Sequence, residues 1–384
     1  MVLDSIKNYF ITHYKSSPLL IKAPGRVNLI GEHTDYNMGF VLPASIEKSI
    51  YFAFQKNNHK TINVETIFTD PEKITFYIQG GCEPFKAGWG NYFKAIIQIL
   101  LKKGYDLHGF DCVFGGDIPI GAGLSSSAAL CCGFIHGVSQ LLDLSISKKE
   151  NAHIAQEAEH LIGLNCGLMD QYAVLFGKQS HALFLDCRDL THKYVPINLK
   201  EYSWILIDSK IQHNLAVDSE YNHRRNSCER VVSIVNDRIE RVSSLRDVTT
   251  EHLERIKLEV NPEDYKRAKY VLEENDRVHK MMDALELGNA DLVGQILLQG
   301  HWAMSKDYEI TTPELDYLVK TGEQLEDVKG SRMMGGGFGG CTINLIKTDN
   351  LENSLEIIRR KYKEETSIEC ETYQLEIGDG VHIL

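Results

Sequence analysis

The sequence predicts a two-domain α+β protein, on three observations. At 384 residues the chain is longer than one ordinary core supports, which implies about two domains. Segments with strand character and segments with helical periodicity alternate in both halves. No internal repeat, low-complexity tract or long flexible linker interrupts them.

The elements follow in order. Ser49–Gln55 and Ile74–Ile78 read as strands from their β-branched and aromatic content. Asn91–Lys103 reads as an amphipathic helix, with Phe93, Ile96, Ile97 and Leu100 at helical spacing. Helices are expected at Ala128–Leu142 and Glu150–Ile162, then strands at His181–Leu185 and Trp204–Asp208. Beyond them the chain turns strongly helical, over Glu220–Val242, Glu263–Leu287, Ala290–Met304 and Pro313–Leu325. A glycine loop at Gly335 leads into a strand at Thr342–Ile346, then a helix near Leu351–Glu364 and a closing strand. The domain boundary is expected near residues 190–200, dividing the chain into 1–195 and 196–384, with the last strand able to return to the first domain.

Composition excludes several classes. A net charge of −12, from 41 basic and 53 acidic residues, argues against nucleic-acid binding. The dense basic cluster His223-Arg224-Arg225 with Arg230 lies in a helical stretch, where a solvated or ion-paired face explains it. Nine cysteines with no C-x-x-C spacing point to reduced thiols in a cytosolic protein. No apolar run approaches the roughly 20 residues of a membrane span, and the first residues do not resemble a leader, so a soluble intracellular protein is expected.

The most informative stretch is Pro119-Ile120-Gly121-Ala122-Gly123-Leu124-Ser125-Ser126-Ser127-Ala128-Ala129-Leu130. Small residues, then three serines, precede an apolar helical run. That pattern suits an anion: the backbone can approach closely, the helix start offers free N–H groups, and the hydroxyls add donors or a metal ligand. A serine cap on a buried helix is the plainer alternative. No G-x-x-x-x-G-K-[ST] occurs. A G-x-G-x-x-G does occur at Gly335, Gly337 and Gly340, but a strand follows it where a dinucleotide fold needs a helix. That run reads instead as a loop pressed against another backbone or a ligand.

Gly25-Arg26-Val27-Asn28-Leu29-Ile30-Gly31-Glu32-His33-Thr34-Asp35-Tyr36-Asn37-Met38-Gly39 gathers Arg26, Glu32, His33 and Asp35 ahead of a turn. Carboxylates and an imidazole at this density suit a polyhydroxylated ligand, because each carboxylate accepts from two hydroxyls. A third cluster, Cys166-Gly167-Leu168-Met169-Asp170-Gln171-Tyr172, offers Asp170 either as a helix cap or as a carboxylate aimed into a cleft. Glu159, on the preceding helix, could reach the same cleft as a magnesium ligand, whereas His153, Glu157 and His160 read as an ordinary exposed stripe.

These segments resemble the signature motifs of the GHMP small-molecule kinases, and within them the galactose-phosphorylating branch. Gly25–Gly39 looks like that branch's sugar signature, Pro119–Leu130 like its ATP-phosphate loop, and Met334–Cys341 like its third, glycine-rich motif. The likeness continues through Cys166–Gln171, His181–Arg188, Ser219–Arg225 and Tyr308–Leu315. It implies an N-terminal ribosomal-S5-like α/β domain and a C-terminal ferredoxin-like α+β domain with the active site between them. It further implies transfer of the ATP γ-phosphoryl group to the anomeric hydroxyl of α-D-galactose, with Mg²⁺. Nothing in the sequence marks a dimer interface, and a monomer is expected. By the same resemblance Arg26 and Asp170 match the catalytic pair, and Glu32, His33, Asp35, Gly167, Asp170 and Tyr221 match sugar-binding positions. Gly121, Ala122, Gly123, Leu124, Ser125, Ser126 and Ser127 match the triphosphate loop, with Ser127 and Glu159 as magnesium ligands. Two positions depart from the pattern: Met38 replaces a small or polar residue, and the Glu159-to-Asp170 segment is one residue short. A kinase of a related sugar such as N-acetylgalactosamine, and a non-catalytic galactose sensor, are the rival readings. The intact Ser125–Ser127 run, Arg26 and Asp170 argue against the sensor.

Overall fold

A computed structural model describes residues 2–68, 72–78, 88–119, 121–164, 166–211 and 217–384. Ile120 of the phosphate-loop motif lies outside the described residues. The chain opens with α1 (Val2–Tyr14), β1 (Leu19–Asn28), β2 (Phe40–Val41), β3 (Pro43–Lys56), β4 (Thr61–Thr66) and β5 (Glu72–Tyr77). Then come α2 (Gly88–Lys102), β6 (Phe110–Gly116), α3 (Ser126–Leu141), α4 (Lys148–Leu161), α5 (Met169–Phe176), β7 (His181–Asp186), β8 (His192–Pro196) and β9 (Tyr202–Asp208). A helical stretch follows with α6 (Val217–Arg238), α7 (Thr250–Ile256), α8 (Pro262–Glu286), α9 (Ala290–Ala303) and α10 (Pro313–Gly322). The chain closes with β10 (Val328–Met334), β11 (Cys341–Lys347), α11 (Leu351–Thr366), β12 (Glu371–Leu375) and β13 (His382–Ile383).

The first sheet has the order β13-β1-β3-β6-β4-β5, antiparallel except for the parallel β4–β6 pair. The second has the order β10-β11-β9-β12 and is antiparallel throughout, while β2, β7 and β8 form a small third sheet. The closing strand β13 pairs with β1, so the chain's last residues lie on the first sheet.

Helix α3 is apolar almost all round, and a helix of that kind must be buried. Cys131, Cys132, Phe134, Ile135 and Val138 are fully shielded, and Phe134 meets Phe54, Phe93 and Phe110 above the first sheet. Each such ring contributes on the order of 2 kcal/mol by burial. This packing fixes where α3 begins, and therefore where the serine run sits. A second core lies under α6, α7 and α8 and includes Tyr270, Tyr308 and Met333. The helix expected to end at Met304 continues instead as a π-helical turn over Met304–Tyr308, a departure that re-aims Tyr308 into this core.

Candidate active site

Strand β1 breaks register between Pro24 and Arg26, and this irregularity delivers Arg26 to the phosphate loop. The Arg26 amide donates to the Leu124 carbonyl (3.1 Å) and its Nη1 to the Gly123 carbonyl (2.6 Å). The guanidinium then grips Asp170 with two parallel bonds, Nε to Oδ1 at 2.7 Å and Nη2 to Oδ2 at 2.8 Å. Only 6% of Arg26 is exposed, so this bidentate pair works in a poorly solvated setting. Asp170 stands in the first turn of α5 without capping it, since Leu168 occupies the cap position. Its carboxylate is spent on Arg26 and on the Ser125 hydroxyl. Ser125 precedes α3 in the left-handed conformation (φ 55°), and its side chain makes no capping bond to its own helix.

Arg26, Glu32, His33, Asp35, Ser127, Glu159, Gly167, Asp170 and Tyr221 all line one cavity of about 280 Å³, together with Cys166, Asn222, Gly335 and Gly336. The rest of the phosphate loop frames it: Ala122 and Leu124 are buried anchors, while Gly121, Gly123 and Ser126 are exposed. A side chain at Gly167 would collide with the Asp35 carboxylate, 2.1 Å from where its Cβ would stand. Burial, helped by the charge of Asp170, pushes Asp35 up to about 6.

The sugar-signature loop and the third glycine motif clasp each other. Glu32 accepts from the Gly335 amide (3.2 Å) and pairs with Arg332. The next residue, His33, bonds through Nε2 to the Gly336 carbonyl (3.2 Å). Burial and the charge of Arg224 draw His33 down to about 4, so its ring is neutral at pH 7. The glycine loop is pressed on backbone, as its sequence suggested. A Cβ at Gly337 would stand 2.4 Å from the Ile310 oxygen, and one at Gly339 would stand 2.5 Å from that of Ile211.

Arg332 was not visible as a site residue. It lies fully buried on β10, donates to the Leu29 carbonyl (2.8 Å), and is drawn down to about 9 by burial. A lone arginine inside an otherwise buried strand was the available signal. Trp89 packs edge-on against Phe93 and Phe114 and donates to Glu72. His153 and His160 are exposed, in keeping with the bland reading of their stripe, and Glu159 on the same helix is turned inward with 3% exposure. Met38 lies at the exposed turn.

Comparisons with known proteins find likenesses along nearly the whole chain. Residues 8–56 match the galactokinase galactose-binding signature, 91–178 the GHMP kinases N-terminal domain and 281–364 the GHMP kinases C-terminal domain. A galactokinase of Fusobacterium nucleatum is 37% identical over 362 residues, 93% of each chain. One from Thermotoga maritima is 38% identical over 371 residues, covering 94% of this chain and 99% of its own. The crystal structure of Lactococcus lactis galactokinase complexed with galactose superposes with a TM-score of 0.92 at 30% identity over 100% of both chains. Methanococcus jannaschii mevalonate kinase shares the fold alone, with a TM-score of 0.67 at 17% identity. Likeness of this degree along nearly the whole of both chains means that this chain belongs to the galactokinase family of GHMP kinases.

Proposed function

We propose that this sugar kinase transfers the γ-phosphoryl group of ATP to the anomeric C1 hydroxyl of α-D-galactose, giving galactose 1-phosphate and ADP. The observation that carries the reading is the bidentate Arg26–Asp170 pair, which lies between the serine loop and the carboxylate-rich signature loop. Phosphoryl transfer needs positioning and charge stabilisation more than covalent chemistry. Asp170 accepts the sugar hydroxyl proton, and Arg26 stabilises charge on the transferring group. Glu32, His33, Asp35, Gly167 and Tyr221 form the sugar subsite, and Gly121–Ser127 receive the triphosphate. Discrimination comes from desolvated acceptors that an epimer leaves unpaired.

The residues present also fit Mg²⁺. Glu159 is a buried carboxylate whose side-chain partners among the described residues are the neutral Ser127, Gln171 and Cys166, and burial raises its pKa. A hard cation suits such a site, held by Ser127, Glu159 and substrate phosphates. When bound, the ion neutralises phosphate charge and helps orient the nucleotide. The protein acts as a monomer in the cytoplasm. The free state of the eight described cysteines supports a reducing compartment, and among the described residues no helix is long and apolar enough to cross a membrane.

The test is ADP release with ATP and Mg²⁺ in the presence of galactose, N-acetylgalactosamine, glucose or no sugar. Turnover with galactose well above the others is expected. Preference for N-acetylgalactosamine transfers the reading to that sugar, and galactose binding without turnover makes the protein a sensor.

Asp35 makes the sugar site pH-sensitive. Ionised, its carboxylate accepts sugar hydroxyls through both oxygens; protonated, one of those oxygens becomes a donor, and its pKa lies near 6. Galactose affinity, measured by calorimetry without nucleotide, should therefore fall as pH drops through 6, approaching about tenfold per unit below it. Asp35→Asn should weaken binding throughout and flatten this profile. Affinity that is constant between pH 5 and pH 7 in the wild type would remove Asp35 from the sugar contacts.

A further inference from the structure

Behind His33 runs a chain of buried polar groups that phosphoryl transfer does not use. Its links are Asn37 Nδ2 to Cys228 Sγ (3.6 Å), Cys228 Sγ to Tyr308 Oη (3.5 Å), Tyr308 Oη to Tyr36 Oη (2.7 Å) and Tyr36 Oη to His33 Nδ1 (2.8 Å). It ends at the Gly336 carbonyl, reached from His33 Nε2.

Both ends fix its direction. The Gly336 carbonyl can only accept, which assigns the imidazole proton to Nε2 and leaves Nδ1 as an acceptor. Tyr36 must then donate to Nδ1, so its oxygen accepts from Tyr308. Tyr308 in turn accepts from the Cys228 thiol. At the far end the Asn37 amide is a donor, which is consistent with the same direction. Tyr308 and Cys228 are 0% and 1% exposed, so no solvent competes for these bonds. The rings of Tyr36, Tyr221 and Tyr308 surround the imidazole, with centroids 5.0–5.7 Å from its own.

We propose that Tyr36 and Tyr308 are positioning residues of the sugar subsite, acting through this directed chain to hold the His33 ring in place at Nδ1 and, through its Nε2–H, the Gly336 carbonyl at the cavity wall. Neither tyrosine is among the residues lining the cavity; the Tyr36 ring also meets Tyr221, a contact that phenylalanine keeps, so it is the hydroxyls that act by way of His33. The Glu32–Gly335 bond lies beside the His33–Gly336 bond, and losing one anchor loosens the same turn of the glycine loop. The consequence for substrate rests on the galactose reading above; the tautomer does not.

Two measurements test it on the full-length protein. Nitrogen-15 NMR of histidine-labelled protein without ligand should show His33 as the Nε2–H tautomer with a hydrogen-bonded Nδ1, and Tyr36→Phe should move the Nδ1 resonance toward that of a free acceptor while the proton stays on Nε2. In steady-state assays Tyr36→Phe should raise the galactose KM about tenfold, with kcat and the ATP KM within about twofold. Tyr308→Phe, which leaves the Tyr36 hydroxyl free to donate, should raise it about threefold. In a His33→Ala background Tyr36→Phe should add nothing, because its route to the site is gone. The proposal is overturned if the His33 Nδ1 resonance is unchanged in Tyr36→Phe. It is equally overturned if the tyrosine effects persist without His33, or fall on kcat and both KM values together. Should Tyr36→Phe not fold, the galactose KM of Tyr308→Phe, measured with and without His33, decides in its place. Absence of galactose turnover in the wild type would reject the activity, while the NMR result still judges the chain.

Discussion

Asp170→Asn is expected to lower kcat by about 10³-fold while the affinity for ATP stays within about threefold. The amide cannot take the proton of the sugar hydroxyl. It also turns an N–H group toward Arg26, where the wild-type carboxylate accepts two bonds, at 2.7 and 2.8 Å. Among the described residues, Asp170 is hydrogen-bonded to the nucleotide loop through Ser125 and, by way of Arg26, to Gly123, so the phosphate-binding backbone is left in place. Single-turnover kinetics with a separate nucleotide-binding measurement would decide; near-normal turnover removes Asp170 from the proton-transfer role. Ser125→Gly is an informative companion, because glycine accepts the left-handed backbone at φ 55° and only the hydroxyl bond to Asp170 is lost. A decrease in kcat of about tenfold is expected, the scale of one hydrogen bond to a charged group.

Arg26→Ala should reduce kcat by about 10²- to 10³-fold and raise the galactose KM much less. The guanidinium is already oriented by Asp170 and the Gly123 carbonyl, so it can meet developing charge without reorganising. Arg26→Lys should rescue little, since an ammonium cannot hold both carboxylate oxygens and the carbonyl in one plane. A mutant changed in KM alone would make Arg26 a binding residue. Some loss of stability is also expected, because Asp170 keeps its charge without a partner.

The long helices were legible because their apolar positions recur at helical spacing, and α8 even announces its start with Asn261 at the cap and Pro262 behind it. Shorter elements were not. Helix α1 buries only Ile6 and Phe10, too few to stand out in its window. Strands β1 and β4 were missed because mixed polar and apolar residues blur their alternation: Lys22, Pro24 and Arg26 fall within β1, and Asn63 and Glu65 within β4. The closing pair β12 and β13 was anticipated only as one strand, since two residues of β13 carry no periodicity.

The available chemistry is written locally: a serine loop before an apolar helix, a carboxylate-rich signature, and a glycine run leading into a strand. Each is written within about fifteen consecutive residues, where local conformation and spacing govern. Which of these groups meet is set by the three-dimensional fold. Arg26 and Asp170 stand 144 positions apart, Tyr36 and Tyr308 stand 272 apart, and Glu32 finds Arg332 across most of the chain. Such pairings are set by strand register and by the seating of α3, α5 and the π-helical turn on their cores. No local pattern encodes the partner of a buried hydrogen-bonding group, because burial makes a partner obligatory without specifying which distant segment supplies it.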